Sequence, residues 1–337
     1  MDHTLPSIIE QMYMCRVMRI RPKRTVWMCE TDKGHWTLKG YETFEKAAWV
    51  TRLSGLLHAR GFHDVVRYVN TIQEVPVFKW NGKYMTAMEK IPGREGSYFH
   101  RHDIIHSIET LARFHSYSKG ISGGPPPQPD EVPLLAKWKK RRDQFHDIAR
   151  GLEATPQKNR LGRLILSASS SILDEADYTL RVAGASSLTW EYQLALMRQQ
   201  IVHKDLASHN FIIGTVKKAL IDLDTAAYDT PLVDIVQLIS RALVQQGWDA
   251  NLFYSAIEAY REIQPLTDSQ VALIYLLLRF PDNFMREVNG LFERKKYFYS
   301  SRVEYYISLI MRHWDNRQRF FDGYEHFIYS NPHRHVR

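Results

Sequence analysis

Gln200-Ile201-Val202-His203-Lys204-Asp205-Leu206-Ala207-Ser208-His209-Asn210-Phe211-Ile212-Ile213 runs from apolar residues through His-x-Asp-x4-Asn to a second apolar run. A short way downstream, Leu220-Ile221-Asp222-Leu223-Asp224 sets carboxylates among apolar neighbours again. Short apolar runs of this kind read as buried strands, so the polar residues belong to the turns that join them. A short loop lets the Asp205 and Asn210 side chains converge from its two ends. A hairpin through Phe211 to Asp222 then returns another carboxylate to the same point. The plainer reading is an ordinary polar turn followed by an exposed acidic strand.

On the N-terminal side the chain has two textures. Cys15–Ile20, Thr25–Glu30 and His35–Lys39 have β-type composition, broken at Pro22-Lys23-Arg24 and Thr31-Asp32-Lys33-Gly34, which predicts an antiparallel meander. Glu42–Gly61 switches to helical spacing, with Phe44, Ala47, Val50, Leu53 and Leu57 on one face and Gly61 as the stop. Val75–Trp80 and Lys83–Glu89 read as a hairpin closed by Asn81-Gly82, a type I′ dipeptide. Ile91-Pro92-Gly93-Arg94-Glu95-Gly96 reads as a hinge. Nearly everything beyond is helical: Asp103–Lys119 with Asp103 as N-cap, Leu134–Ala154, Leu161–Ala183, Leu188–Gln200, Val233–Gln246, Ala250–Glu262, Asp268–Arg279, Asn283–Lys295 and Ser300–Phe321. Gly123-Gly124-Pro125-Pro126-Pro127-Gln128-Pro129 reads as a stiff surface connector. The expectation is an α+β chain with a small β-rich lobe, residues 1–92, and a larger helical lobe, residues 93–337.

The motif residues suit phosphoryl transfer, which needs a carboxylate to take the proton of an attacking hydroxyl and oxygen ligands for Mg²⁺. Asp205 is the candidate base, and Asn210 and Asp222 the candidate metal ligands. The segment resembles the catalytic loop of the aminoglycoside phosphotransferase and choline kinase superfamily, which has a bilobal protein-kinase-like fold. Within it, Ile221-Asp222-Leu223-Asp224-Thr225…Tyr228-Asp229…Asp234 is similar to the signature of the CotS-type spore coat protein family, and Phe280-Pro281-Asp282-Asn283-Phe284 to a downstream segment of it.

The resemblance implies ATP or another nucleoside triphosphate with Mg²⁺, Asp205 as base, Asn210 and Asp222 as ligands, and Asp234 bracing the loop. His203 orients the loop by hydrogen bonding, and Asp224 is either a second metal contact or a solvated neighbour. Lys39, on the third strand, is placed to neutralise nucleotide phosphates, with Glu45, or else Glu42, as its acidic partner. Met88, Glu89 and Ile91 belong to an adenine-facing hinge. Arg21-Pro22-Lys23-Arg24 lacks the glycine expected of a phosphate-covering turn. Either its basic side chains replace backbone amides, or the site does not bind ATP productively.

The two functional expectations are therefore a phosphotransferase acting on a hydroxyl of a small molecule or glycan precursor, and a catalytically silent structural or binding component of the spore coat. The 337 residues carry a net charge of +8, with 44% hydrophobic and 24% charged residues, which excludes a disordered chain and permits anionic ligands. Lys137-Trp138-Lys139-Lys140-Arg141-Arg142 reads as a solvated basic helix face rather than a polyanion patch, and nucleic acid is not expected. Cys15 and Cys29 are too few for a disulfide framework, and Met1–Pro6 lacks a signal-peptide pattern, which implies cytoplasmic synthesis before assembly with spore coat partners. The Val271–Leu278 run is too short to span a membrane. Tyr297-Phe298-Tyr299, Tyr305-Tyr306 and Phe320-Phe321 are read as core of the last helices.

Overall fold

The structure is a computed structural model describing residues 4–127, 131–157, 159–214, 218–295 and 298–330, with the backbone alone over 324–330. The chain divides into two compact units, one of residues 1–97, 109–126 and 198–228, the other of 98–108, 127–197 and 229–337. The α+β class expected from the sequence is observed.

The first unit opens with helix α1 (Leu5–Tyr13), then strands β1 (Val17–Lys23), β2 (Val26–Thr31) and β3 (Gly34–Tyr41), helix α2 (Phe44–Ala59), β4 (Tyr68–Val69), β5 (Phe78–Trp80), β6 (Lys83–Glu89) and β7 (Arg94–Glu95). The sheet order is β1-β2-β3-β6-β4, with β5 also on β6, and every pairing is antiparallel. One face of the sheet packs Cys29, Trp36, Leu38, Phe78, Met85 and Ala87 against Leu5, Ile9 and Tyr13 of α1. Burial of each large side chain here contributes about 1.5–3 kcal/mol. Helix α1 is absent from the sequence expectation: at nine residues it is too short to stand without that packing.

The expected turn at Asn81-Gly82 is present, with φ of 46° and 75°. Helix α2 starts where the Thr43 side chain accepts from the Lys46 amide, and Gly61 follows its end at φ 91°. Pro22 lies within β1 rather than at a break, which is tolerated because β1 is an edge strand.

Helix α3 (Arg101–Ser118) is shared between the units, and its C-terminus belongs to the first. Asp103 lies inside its first turn and is buried rather than capping it. The Arg60 guanidinium donates to the carbonyls of Tyr117 and Gly120 at 3.0 and 2.9 Å, which satisfies acceptors left at the helix end.

The second unit is helical: α4 (Pro133–Ala154), α5 (Arg160–Gly184), α6 (Leu188–Met197), α7 (Pro231–Gln245), α8 (Ala250–Arg261), α9 (Asp268–Leu278), α10 (Asp282–Phe292), α11 (Ser300–Arg312) and α12 (Trp314–Ser330). The helix expected over 300–321 is broken at His313. The solvated basic face expected of Lys137–Arg142 is present at Lys137, Lys139 and Lys140, which are exposed, while the rest of the run packs. Trp138 is buried and stacks on Phe280 at 4.2 Å, Arg141 pairs with Asp282, and Arg142 with Asp177. Phe320 and Phe321 join Trp248, Phe253 and Tyr275 in a ring cluster, as expected, whereas Tyr299 and Tyr305 are exposed. Tyr297, and Gln128 and Pro129 of the connector, lie outside the described residues. Among the described residues no helix is long and apolar enough to cross a membrane.

Candidate active site

The motif folds through short strands. β8 (Ile201–Val202) pairs with β11 (Ala227–Tyr228), and β9 (Phe211–Ile213) pairs with β10 (Lys218–Leu220) and with β7; residues 215–217 lie outside the described residues. His203 is fully buried, and its Nε2–H donates to the Ile221 carbonyl at 2.9 Å while Nδ1 accepts from the Asp205 amide at 3.3 Å. That pattern assigns the neutral Nε2–H tautomer. Its carbonyl accepts from Thr225 Oγ1 at 2.7 Å, so one histidine ties the loop to both sides of the Asp222 segment. Asn210 is buried, its Nδ2 donates to the Asp205 carbonyl at 2.9 Å, and its own carbonyl accepts from the Ile221 amide at 2.9 Å.

Two residues of this region have left-handed backbones without being glycine, Lys204 at φ 67° and Asp222 at φ 65°. Such conformations cost of order 1 kcal/mol and persist only where the surroundings impose them. The hinge is held equally closely. A Cβ on Gly93, which has φ 145°, would stand 2.8 Å from the Ile213 carbonyl oxygen, and the Gly96 amide donates to the Phe211 carbonyl at 2.7 Å. Only a glycine lets the chain at residue 93 lie against the strand that follows Asn210.

Lys39 reaches this region from β3. Its Nζ lies 2.8 Å from Asp222 Oδ1 and 2.9 Å from Asp224 Oδ2. Burial by itself would lower the pKa of this ammonium, but the two carboxylates outweigh it and hold the proton more firmly than in an ordinary lysine. Burial would raise Asp222, and Lys39 reverses that to a net lowering; Asp224 is raised by burial and by the neighbouring Asp222 charge. The Tyr41 hydroxyl donates to Asp224 Oδ1 at 3.1 Å. Since that uses its one proton, Tyr68, which is hydrogen-bonded to Tyr41, donates to Tyr41 in turn. Burial pushes both phenols up, so they stay protonated donors.

Glu45 is not the partner of Lys39. It is exposed in the first turn of α2, and among the described residues the carboxylates within ion-pair distance of Lys39 are Asp222 and Asp224. Glu42 pairs instead with Lys83. The α2 residue that reaches the site is a cation: Lys46 Nζ donates to the Asp224 carbonyl, and Trp49 Nε1 donates to the Ala226 carbonyl at 3.0 Å. A first-turn residue points according to its position around the helix, so moving one place along the chain exchanges Glu45 for Lys46. Tyr41, likewise not singled out from sequence, was legible as the residue two beyond Lys39, on the same face of β3.

At the hinge, Met88 is buried in β6, the Glu89 amide donates to the Arg67 carbonyl and the Lys90 amide to the His35 carbonyl, each at 2.9 Å; Ile91 follows, half-buried. Asp205 is half-buried at the mouth of the loop.

Among the described residues no group of three His, Cys, Asp or Glu is arranged to hold a metal ion. Mg²⁺, however, is held by one or two carboxylates completed by other oxygens, water and phosphate. The Asn210 amide oxygen with Asp222 and Asp224 is an all-oxygen donor set that fits such an ion, and the two aspartates already gather one cation, Lys39.

Residues 23–268 match the phosphotransferase enzyme family. The chain is 21% identical over 272 residues to Spore coat protein S of Bacillus subtilis, covering 77% of this chain and 75% of that one. Among solved structures it is similar to an aminoglycoside phosphotransferase from Alicyclobacillus acidocaldarius, with TM-score 0.84, 15% identity and 98% of each chain covered. An amicoumacin kinase solved in complex with AMP-PNP, Ca²⁺ and Ami aligns over 94% of this chain and 92% of its own, with TM-score 0.59 and 16% identity. These two likenesses establish the fold.

Proposed function

This chain belongs to the phosphotransferase enzyme family, and from that premise we propose that it transfers the terminal phosphoryl group of ATP, or another nucleoside triphosphate, to a hydroxyl of a small molecule or glycan precursor. The observation that carries the reading is the meeting of Lys39 with Asp222, 183 residues away in sequence, and with Asp224, beside the His203–Asn210 loop. A half-buried cation shared between two partly exposed carboxylates supports this reading, because charge clusters of this kind gather at functional sites.

In this reading Asp205 accepts the proton of the attacking hydroxyl, and His203, as a neutral donor and acceptor, fixes the loop without taking a proton. Asn210, Asp222 and Asp224 would hold Mg²⁺, which when bound neutralises charge developing on the phosphates. Lys39 faces the phosphates, Tyr41 and Lys46 fix Asp224, and Met88, Glu89 and Ile91 border the adenine. Residues 1–92 form the nucleotide-binding lobe, and residues 93–337 carry the catalytic loop and the acceptor site. The likeness to Spore coat protein S supports a working place in the spore coat.

A thermal-shift titration with ATP and Mg²⁺ tests the reading, with Asp222→Ala beside the wild type. Stabilisation of the wild type and its loss in the variant is the expected result. No nucleotide effect in either protein sinks the enzyme reading and leaves a silent coat component.

A further inference from the structure

His102 and His106 stand four residues apart in the first two turns of α3, the spacing that puts side chains on one face of a helix. Their Nε2 atoms are 2.7 Å apart, with ring centroids at 3.8 Å and planes inclined at 82°. The contact is either a hydrogen bond, in which one Nε2–H donates to the other ring, or the donor pair of a chelate. Two nitrogens at about 2.0–2.1 Å from one ion stand about 3.3 Å apart at a tetrahedral angle, so parting the rings by about 0.6 Å admits the ion. His102, with 74% of its side chain exposed, has room for that movement.

The surroundings favour the chelate. Asp103 is buried, and its Oδ1 lies 3.9 Å from His102 Nδ1. That is too long for a hydrogen bond, but the attraction favours the tautomer with its proton on Nδ1, which leaves Nε2 as a lone pair. A carboxyl group behind a histidine is the arrangement that orients metal-binding imidazoles. It also places an acidic group at a helix N-terminus, which on its own repels a cation. His58 and His63 also approach each other, through Nδ1 atoms 3.2 Å apart, but there the adjacent Asp64 is taken by Arg113 at 2.8 Å.

We propose that His102 and His106 chelate one divalent late-transition-metal ion of the Zn²⁺ or Cu²⁺ class, which staples the first two turns of α3. Imidazole nitrogens select such ions, whereas Mg²⁺ takes oxygen. Among the described residues no third His, Cys, Asp or Glu is arranged to join the pair, so water completes the coordination and the ion exchanges with solvent. The pair shares no residue with the phosphotransfer site, and the proposal stands apart from that reading.

Isothermal titration of the full chain with Zn²⁺, in excess Mg²⁺ to compete for oxygen donors, tests this on wild type, His102→Ala, His106→Gln and His58→Ala. The last is the control that 15 histidines in the chain require. Wild type and His58→Ala take up one tight equivalent alike, and each α3 variant loses affinity by about tenfold or more, since even a group that only supports a metal ligand is worth about 10–100-fold. The Tm of the wild type rises with Zn²⁺ and that of His102→Ala does not. Circular dichroism checks that His102→Ala, altered at an exposed position, keeps its fold. The proposal is overturned if the wild type takes up no Zn²⁺, or if His102→Ala binds it as tightly as wild type, which makes the contact a histidine–histidine hydrogen bond only. Loss of binding in His58→Ala with retention in His102→Ala overturns it equally.

Discussion

Asp282→Asn is expected to loosen the second unit in a pH-dependent way. Asp282 opens α10 and pairs with Arg141 of α4, beside the Trp138–Phe280 stack, with 19% of its side chain exposed. Burial would raise this carboxyl, but Arg141, Lys137 and Arg286 together bring it from 3.8 to about 2. At about 1.4 kcal/mol for each tenfold change in acidity, the ionised form contributes roughly 2 kcal/mol. The value is depressed on folding, so the contribution is complete well above pH 3.8 and is lost as the pH falls through about 2. The variant should therefore unfold with about 2 kcal/mol less stability at neutral pH, a drop of several degrees in Tm. At about pH 3 the difference from wild type should shrink to about half. Urea unfolding followed by circular dichroism across that range measures both. A difference that stays constant from neutral pH to about pH 3 would refute the electrostatic account and leave only a packing effect.

Other expectations concern the site. Asp205→Asn should lower kcat by about a thousandfold or more with nucleotide affinity retained, and steady-state kinetics beside a binding titration would show whether turnover survives. Tyr41→Phe removes one of the two side-chain donors to Asp224, leaving Lys39, and leaves Tyr68 without its acceptor. We expect about 1–2 kcal/mol lower stability and weaker Mg²⁺ dependence of ATP binding, and an unchanged Mg²⁺ titration would remove Tyr41 from the site. Gly93→Ala should cost about 1–3 kcal/mol, because the methyl meets a carbonyl oxygen at a φ that side chains avoid, whereas Gly82→Ala meets no neighbouring atom within 4 Å; chemical denaturation of the pair separates the clash from turn strain.

Much of this molecule is legible from local sequence. The His-x-Asp-x4-Asn run and Leu220–Asp224 contain their own strand and turn signals, so the loop and the strands beside it follow from residues close in the chain. The Asn81-Gly82 turn and most helix limits follow for the same reason: capping, φ preference and periodicity act over a few residues. Choices made across long sequence separations are different. Glu45 and Lys46 are equally plausible in the first turn of α2, and only the packing of α2 through Trp49 onto residue 226 turns Lys46 towards Asp224. Lys137, Lys139 and Lys140 form the solvated face the sequence suggests, but Trp138 and Arg141 leave it because Phe280 and Asp282, far along the chain, meet them. Composition and spacing thus determined most of the elements and which residue types gather in the central motif. Tertiary structure decided which charges meet, because an ion pair depends on where a side chain's tip arrives, and that is set by residues more than a hundred positions away.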